Sequence, residues 1–207
     1  MMNASNTVFV DVDTQRDFCL AGGAMAVKDA PVEAFRRLTA LAVKKKIPIV
    51  GSVDSHPFDD PEFETFPPHC VKGTEGQLKV EGTLPERSRF VAIHEGATPA
   101  LADLRCGAAQ AAYLEKQTFS IFSHPEATDL LLALSRDIAV VYGVATDYCI
   151  KAAVLGLRER AYEVYVVTDA IAGVAPDTDA EARDEMVRAG AVFITEKELS
   201  QALNKAA

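Results

Sequence analysis

The chain has 207 residues, 49% of them hydrophobic and 25% charged, with a formal net charge of −9. A chain of this length buries roughly 70% of its unfolded surface in one core, so it needs no disulfide staples, and its composition excludes disorder, collagen and coiled coil. Its acidity argues against nucleic acid as a partner, and no apolar run reaches the ~18 residues of a membrane span.

In chain order, Thr7 to Val12 reads as a buried strand. Ala30 to Lys46 carries Val32, Phe35, Leu38, Leu41 and Ala42 at helical spacing and ends in lysines that suit a helix C-terminus. Ile47 to Val53 is a second strand. Asp54 to Arg87 is rich in Pro, Asp, Glu and Gly and has little periodicity, and a segment of this kind inside a compact domain is usually functional. Then come a strand at Phe90 to Ile93, a helix at Pro99 to Cys106, a strand at Ala111 to Leu114 and a helix at Pro125 to Ser135. Asp137 to Val144 is a strand, Asp147 to Arg160 a helix, Glu163 to Val167 a strand, Thr178 to Ala189 a helix and Ala191 to Thr195 a strand, with a helix expected in the tail. This alternation predicts a single domain over residues 1–207, a three-layer α/β/α sandwich with a mainly parallel sheet. Sites in such sheets lie beyond the carboxyl ends of the strands, near a topological switch point.

Strand ends therefore hold the candidates. After Val140 to Ala145, the cap-type residues Thr146 and Asp147 place Cys149 in the first turn of a helix. There the N–H groups and the dipole favour a thiolate and can hold an oxyanion. A small buried core cysteine is the commoner fate, and it is the expectation for Cys19, Cys70 and Cys106. No C-x-x-C and no signal peptide is present, so reduced thiols in a cytoplasm are expected. Asp54 and His56, two residues apart, directly follow a strand and in extended chain face the same way. With Glu62 and His69 from the same loop they offer oxygen and nitrogen donors for one divalent transition metal, Zn, Mn or Fe. The neighbouring Asp59, Asp60 and Glu64 read as solvated. Asp13 and Lys116 also end strands; alone each reads as a solvated terminus, but a sheet can bring both to Cys149, where a carboxylate takes the thiol proton and a lysine steadies it.

The stretches VDTQRDF (Val12 to Phe18), VDSH (Val53 to His56), FPPHCVKGTEG (Phe66 to Gly76), EKQTF (Glu115 to Phe119), GVATDYC (Gly143 to Cys149) and VTDAIAGV (Val167 to Val174) occur in this order. Together they resemble the nicotinamidase/pyrazinamidase branch of the isochorismatase-like cysteine hydrolases. The resemblance implies a catalytic set of Asp13, Lys116 and Cys149, and metal ligands Asp54, His56 and His69, with Glu62 where relatives carry His or Glu. It implies a cis Val144–Ala145 bond, with the Ala145 and Cys149 N–H groups as the oxyanion hole. Phe18 and Phe66 would wall the substrate pocket, with Phe119 or Phe122 on a third side. The implied reaction is hydrolysis of nicotinamide to nicotinate and ammonia through a thioester, as in pyridine nucleotide salvage, by an enzyme that forms homo-oligomers.

Departures from the family's pattern bear on the substrate. Phe66 stands where many relatives have Trp, Tyr148 where several have His, and QTFSIFSHPEA lacks a Gly-rich aromatic run. Asp11 puts a carboxylate in a usually apolar strand position, and His94 finds no assignment. The alternatives are an amidase of the same superfamily acting on a carbamoyl, ureido or other heteroaryl amide, and a catalytically silent binding module.

Overall fold

A computed structural model describes residues 1–205; positions 206 and 207 of the expected domain lie outside the described residues. The elements are β1 (Thr7–Val12), α1 (Arg16–Cys19), α2 (Val32–Lys45), β2 (Ile49–Asp54), β3 (Ser88–Val91), α3 (Thr98–Cys106), β4 (Ala111–Lys116), α4 (Ala127–Ala133), β5 (Ile138–Val144), α5 (Lys151–Glu159), β6 (Glu163–Ala172), α6 (Pro176–Arg188), β7 (Val192–Ile194) and α7 (Glu196–Lys205). The strands form one sheet in the order β3-β4-β2-β1-β5-β6-β7. Every neighbouring pair is parallel, which is what a βαβ alternation produces.

Side-chain alternation along the strands builds the two outer layers. Val8, Val10 and Val12 face a core shared with Leu104 of α3, Leu130 of α4, Leu157 of α5 and Met186 of α6. Phe9 faces the opposite side, where Phe35 and Leu38 of α2 and Leu199 and Leu203 of α7 cover the sheet. Burying a side chain of that size contributes about 1.5–3 kcal/mol. Both faces of β1, β2 and β5 are thus dry, and these strands read as nearly continuous apolar runs. Helix α2 stops where Lys46 adopts a left-handed φ of 57° and its N–H turns back to the Ala42 and Val43 carbonyls.

Most elements fall within two or three residues of the sequence expectation, with instructive exceptions. The helix expected at Asp147 to Arg160 is split: Thr146–Ile150 is a π-type turn and regular helix begins at Lys151. Strand β6 runs on to Ala172, and its register with β5 slips between Val141 and Gly143. The single turn α1 was not expected, because four residues carry no periodicity. Among the described residues no helix is long and apolar enough to cross a membrane.

Strand β1 is the switch point. The chain leaves it for β2 on one side and, after β4, crosses to β5 on the other. The carboxyl ends of β1, β2, β4 and β5 therefore converge on one crevice.

Candidate active site

Two backbone features close the crevice. Asp13 follows β1 in a left-handed conformation, φ 50°, which turns the chain sharply. Opposite, Gly143 in β5 has φ 127°, and a Cβ there would lie 1.9 Å from the Val12 carbonyl oxygen. Only glycine permits this approach, and it brings the end of β1 against the turn that carries Cys149.

Asp13, Lys116 and Cys149 meet, all buried. Lys116 Nζ lies 2.8 Å from Asp13 Oδ2 and 3.6 Å from Cys149 Sγ, and it also contacts Asp54 Oδ1. Ser52 Oγ donates to Asp13 Oδ1 at 2.7 Å. Burial alone would lower the Lys116 pKa, but the carboxylates of Asp13 and Asp54 outweigh it and hold the ammonium charged. Burial raises the Asp13 pKa against the pull of Lys116, giving a carboxylate more ready to accept a proton than an exposed one. Asp54 moves the other way: burial opposes its charge, yet Lys116 and His56 hold it below the ordinary carboxylate range.

Cys149 departs from the thiolate expectation. Its pKa is pushed well above the ordinary thiol value by burial first, then by the nearby carboxylates of Asp13 and Asp54; Lys116 pulls the other way. Burial thus favours the thiol form, and Asp13 supplies a base close by, as in other acid–base activated nucleophiles. The Val144–Ala145 peptide is cis. The Ala145 carbonyl accepts the N–H groups of Tyr148 and Ile150, both at 3.1 Å, and passes over that of Cys149. Such π-type turns are frequent at functional sites.

Next to this set, the donor atoms of Asp54, His56 and His69 lie within 4.8 Å of one another, all three residues buried. Asp54 Oδ2 is 3.7 Å from His56 Nε2 and 3.8 Å from His69 Nε2. His69 Nδ1 is 2.8 Å from the Pro67 carbonyl, which can only accept, so the proton is on Nδ1 and the Nε2 lone pair is free. His56 Nδ1 likewise donates to Asp60 Oδ2 at 2.9 Å, leaving His56 Nε2 buried without a partner. Two free imidazole nitrogens and one carboxylate oxygen facing one point fit a divalent transition metal. The fourth predicted ligand, Glu62, stands apart from that triplet: it groups with His56 and Asp60, and its half-buried carboxyl faces the pocket. Burial raises its pKa.

The pocket over Cys149 is walled by Phe18, Phe66, Phe119, Tyr148 and Val174 and floored by Val144 and Ala145, with Asp54 and His69 at one side. Phe66 meets Phe119 and Tyr148 edge-on, and those two are tilted against each other, with ring centroids 5.1 to 6.5 Å apart. Phe122 is a correction. It turns away to lie on α5, where Gly156 leaves room (a Cβ would be 2.3 Å from its ring), and Arg160 covers its other face at 3.8 Å. Phe119 is therefore the third wall.

Several residues escaped the sequence reading. Asp60, expected to be solvated, is buried and orients His56; its place four residues after His56 was the available signal. Gln15 holds the Asp54 backbone on both sides, accepting from its N–H at 2.7 Å and donating to its carbonyl at 2.8 Å. Asp147 does not cap its own turn; its carboxylate accepts from the Val174 and Ala175 N–H groups and the Thr178 hydroxyl, pinning the start of α6 against the Cys149 turn. Cys106, expected in the core, is exposed, while Cys19 and Cys70 are buried as expected. His124 is buried, donating from Nε2 to Ala92 O and accepting the Glu126 N–H, and His94 is exposed in the turn after β3.

Residues 7–198 match the family model described as the isochorismatase domain. The chain is similar to the nicotinamidase of Escherichia coli K12, 31% identical over 207 aligned residues that cover 89% of this chain and 92% of the relative. Among solved structures, pyrazinamidase of Pyrococcus horikoshii in complex with zinc superposes with a TM-score of 0.74 at 26% identity, covering 92% of this chain and 99% of that one. N-carbamoylsarcosine amidase from Thermoplasma acidophilum superposes with a TM-score of 0.71 at 25% identity, covering 92% and 96%.

Proposed function

The chain belongs to the isochorismatase domain family, and on that premise we propose that it is a cysteine amidohydrolase that converts nicotinamide to nicotinate and ammonia. The observation that carries this reading is one ammonium, Lys116 Nζ, within 2.8 Å of a buried carboxylate and 3.6 Å of a buried thiol at the mouth of an aromatic pocket.

Asp13 takes the Cys149 proton as the sulfur attacks the carboxamide carbon. The oxygen becomes an anion held by the Ala145 and Cys149 N–H groups, a type of interaction that lowers a barrier by roughly 3 kcal/mol. The C–N bond breaks as Asp13 returns the proton to the nitrogen, and ammonia leaves. Water then opens the thioester, and the thiol is restored with its proton. Lys116 stays charged throughout and keeps the Asp13 carboxylate in place, so two moderate barriers replace one high one. Phe18, Phe66, Phe119 and Tyr148 stack the planar ring and exclude water. A divalent metal held by Asp54, His56 and His69 would supply a Lewis acid to anchor a ring nitrogen. The scheme needs a free Cys149, which a reducing compartment such as the cytoplasm maintains.

The test is ammonia release from nicotinamide, pyrazinamide and carbamoyl amides, with and without chelator, for wild type and Cys149→Ala. Turnover of the pyridine and pyrazine amides, lost in Cys149→Ala with the fold intact, is the expected result. Normal turnover in Cys149→Ala would sink the nucleophile assignment, and release from carbamoyl amides alone would move the substrate class.

A further inference from the structure

Beneath the site lies a second buried charge cluster that none of the proposed chemistry uses. Asp11 on β1 is fully buried, and so is the side chain of Lys79, whose Nζ lies 3.0 Å from Asp11 Oδ2. Thr14 Oγ1 donates to Asp11 Oδ1 at 2.9 Å and accepts from Lys79 Nζ at 2.6 Å. Tyr113 reaches in from β4. The cross-strand register sets Asp11, Gly51 and Tyr113 in one row, and only because Gly51 lacks a Cβ can the Tyr113 ring cross β2 to place its hydroxyl 3.2 Å from Asp11. The same ring lies 4.2 Å beneath the Lys79 ammonium.

The position of this cluster matters more than its composition. Asp11 and Thr14 flank Asp13, and the hydrogen bond between them closes over the turn in which Asp13 adopts its left-handed φ of 50°. A non-glycine residue holds such a conformation only when its surroundings fix it. Lys79 supplies a second tie, because its segment is stitched to the residues after Asp13: Val80 N–H to Thr14 O at 3.0 Å, Arg16 N–H to Leu78 O at 2.8 Å, and a bridge between Gln15 and Lys79. Gln15 in turn grips the Asp54 backbone.

We propose that the Asp11–Lys79 pair is a positioning device for the reaction, clamping the Asp13 turn from below so that its carboxylate stays on the Cys149 thiol. The proposal deepens the amidase reading and rests on it. The pair touches neither pocket nor nucleophile, so it acts on the chemical step and leaves substrate binding alone.

The test separates clamping from mere stability. Asp11→Leu and Lys79→Met each leave one buried charge alone and lower the melting temperature. The double variant leaves none: Tyr113 keeps its bond to the Thr83 carbonyl and Thr14 its contact with the Thr83 hydroxyl. Replacing a whole buried ion pair by apolar side chains is often neutral. The double variant is therefore expected to melt near wild type, with unchanged KM for nicotinamide but kcat lower by roughly ten- to hundredfold, the scale of a small misplacement. Alkylation of Cys149 by iodoacetamide, followed by mass spectrometry, is expected to change severalfold. If kcat and alkylation return to wild type along with stability, the pair is only structural and the proposal fails. If the double variant does not fold, Thr14→Val cuts the link from pair to turn; it should show the same kcat loss, and wild-type kcat there overturns the proposal equally. Should wild type release no ammonia from any amide, the amidase reading falls, while the alkylation comparison still decides this one.

Discussion

Asp11 and Asp13 stand two residues apart at the end of β1, each paired with a buried lysine, yet their surroundings differ in one respect. Asp11 is saturated: Thr14 on one oxygen, Lys79 and Tyr113 on the other. Asp13 is saturated on one oxygen by Ser52, while Oδ2 has the charge of Lys116 at 2.8 Å but no well-directed hydrogen bond. A fully satisfied buried network fixes structure, and an under-satisfied one keeps capacity for a proton in transit. His56 Nε2, also buried and without a partner, marks the neighbouring candidate metal-binding group in the same way.

The sharpest way to break this comparison is to remove each lysine. Lys116→Met and Lys79→Met both strand buried carboxylates and should each destabilise the protein by about 3–5 kcal/mol. Their rates should diverge. Lys116→Met is expected to cost roughly a thousandfold or more in kcat, as loss of a member of a catalytic unit does. Lys79→Met should lose only the roughly ten- to hundredfold of a positioning defect. Urea titration and steady-state kinetics on both variants check this. Equal rate losses would mean the two pairs do the same job.

Asp60 tests the comparison at the metal group. Its carboxylate forces the His56 proton onto Nδ1 and frees Nε2. In Asp60→Asn the amide can offer an N–H instead, favouring the other tautomer, with the proton on Nε2. Zinc affinity measured by competition with a chelator should fall about 10–100-fold, the usual effect of losing an outer partner of a ligating histidine. Unchanged affinity would show that His56 needs no orientation, or does not bind.

How much of this was visible in the sequence follows from which signals are local. Strand and helix order was, because alternation and period are written residue by residue. Asp13, Lys116 and Cys149 were, because each lies at or just beyond the end of a strand and a parallel sheet gathers strand ends. Asp60 and Gln15 were not. Asp60 depends on a loop folding back onto His56, which their four-residue spacing only hints at, and Gln15 on a side-chain amide bonding a strand thirty-nine residues away, which no local spacing encodes. Asp11 showed only as an oddity, a carboxylate in an apolar strand; its partner Lys79 sits in the long segment without periodicity. The opposition to a Cys149 thiolate was hidden for a similar reason. Placement at a helix start is local, but the burial that chiefly raises its pKa, and the two carboxylates that add to it, come from the packing of other strands.

Phe119 and Phe122 give the smallest and most local contrast. Three residues apart, they were equivalent candidates for the third wall of the pocket, and the structure sends them to opposite sides of the chain. Phe119 is partly exposed at the pocket mouth, against Tyr148 with centroids 5.1 Å apart; Phe122 lies on Gly156 beneath Arg160. Truncating Phe119 to Ala removes a stacking face from the substrate and should raise KM several-fold with little change in melting temperature. Phe122→Leu removes packing and a cation–π contact and touches no substrate. It should lower the melting temperature by about 2–4 °C for each kcal/mol lost while kcat and KM stay at wild-type values. A raised KM in Phe122→Leu would put its ring back in the pocket and make the Gly156 seat irrelevant to function.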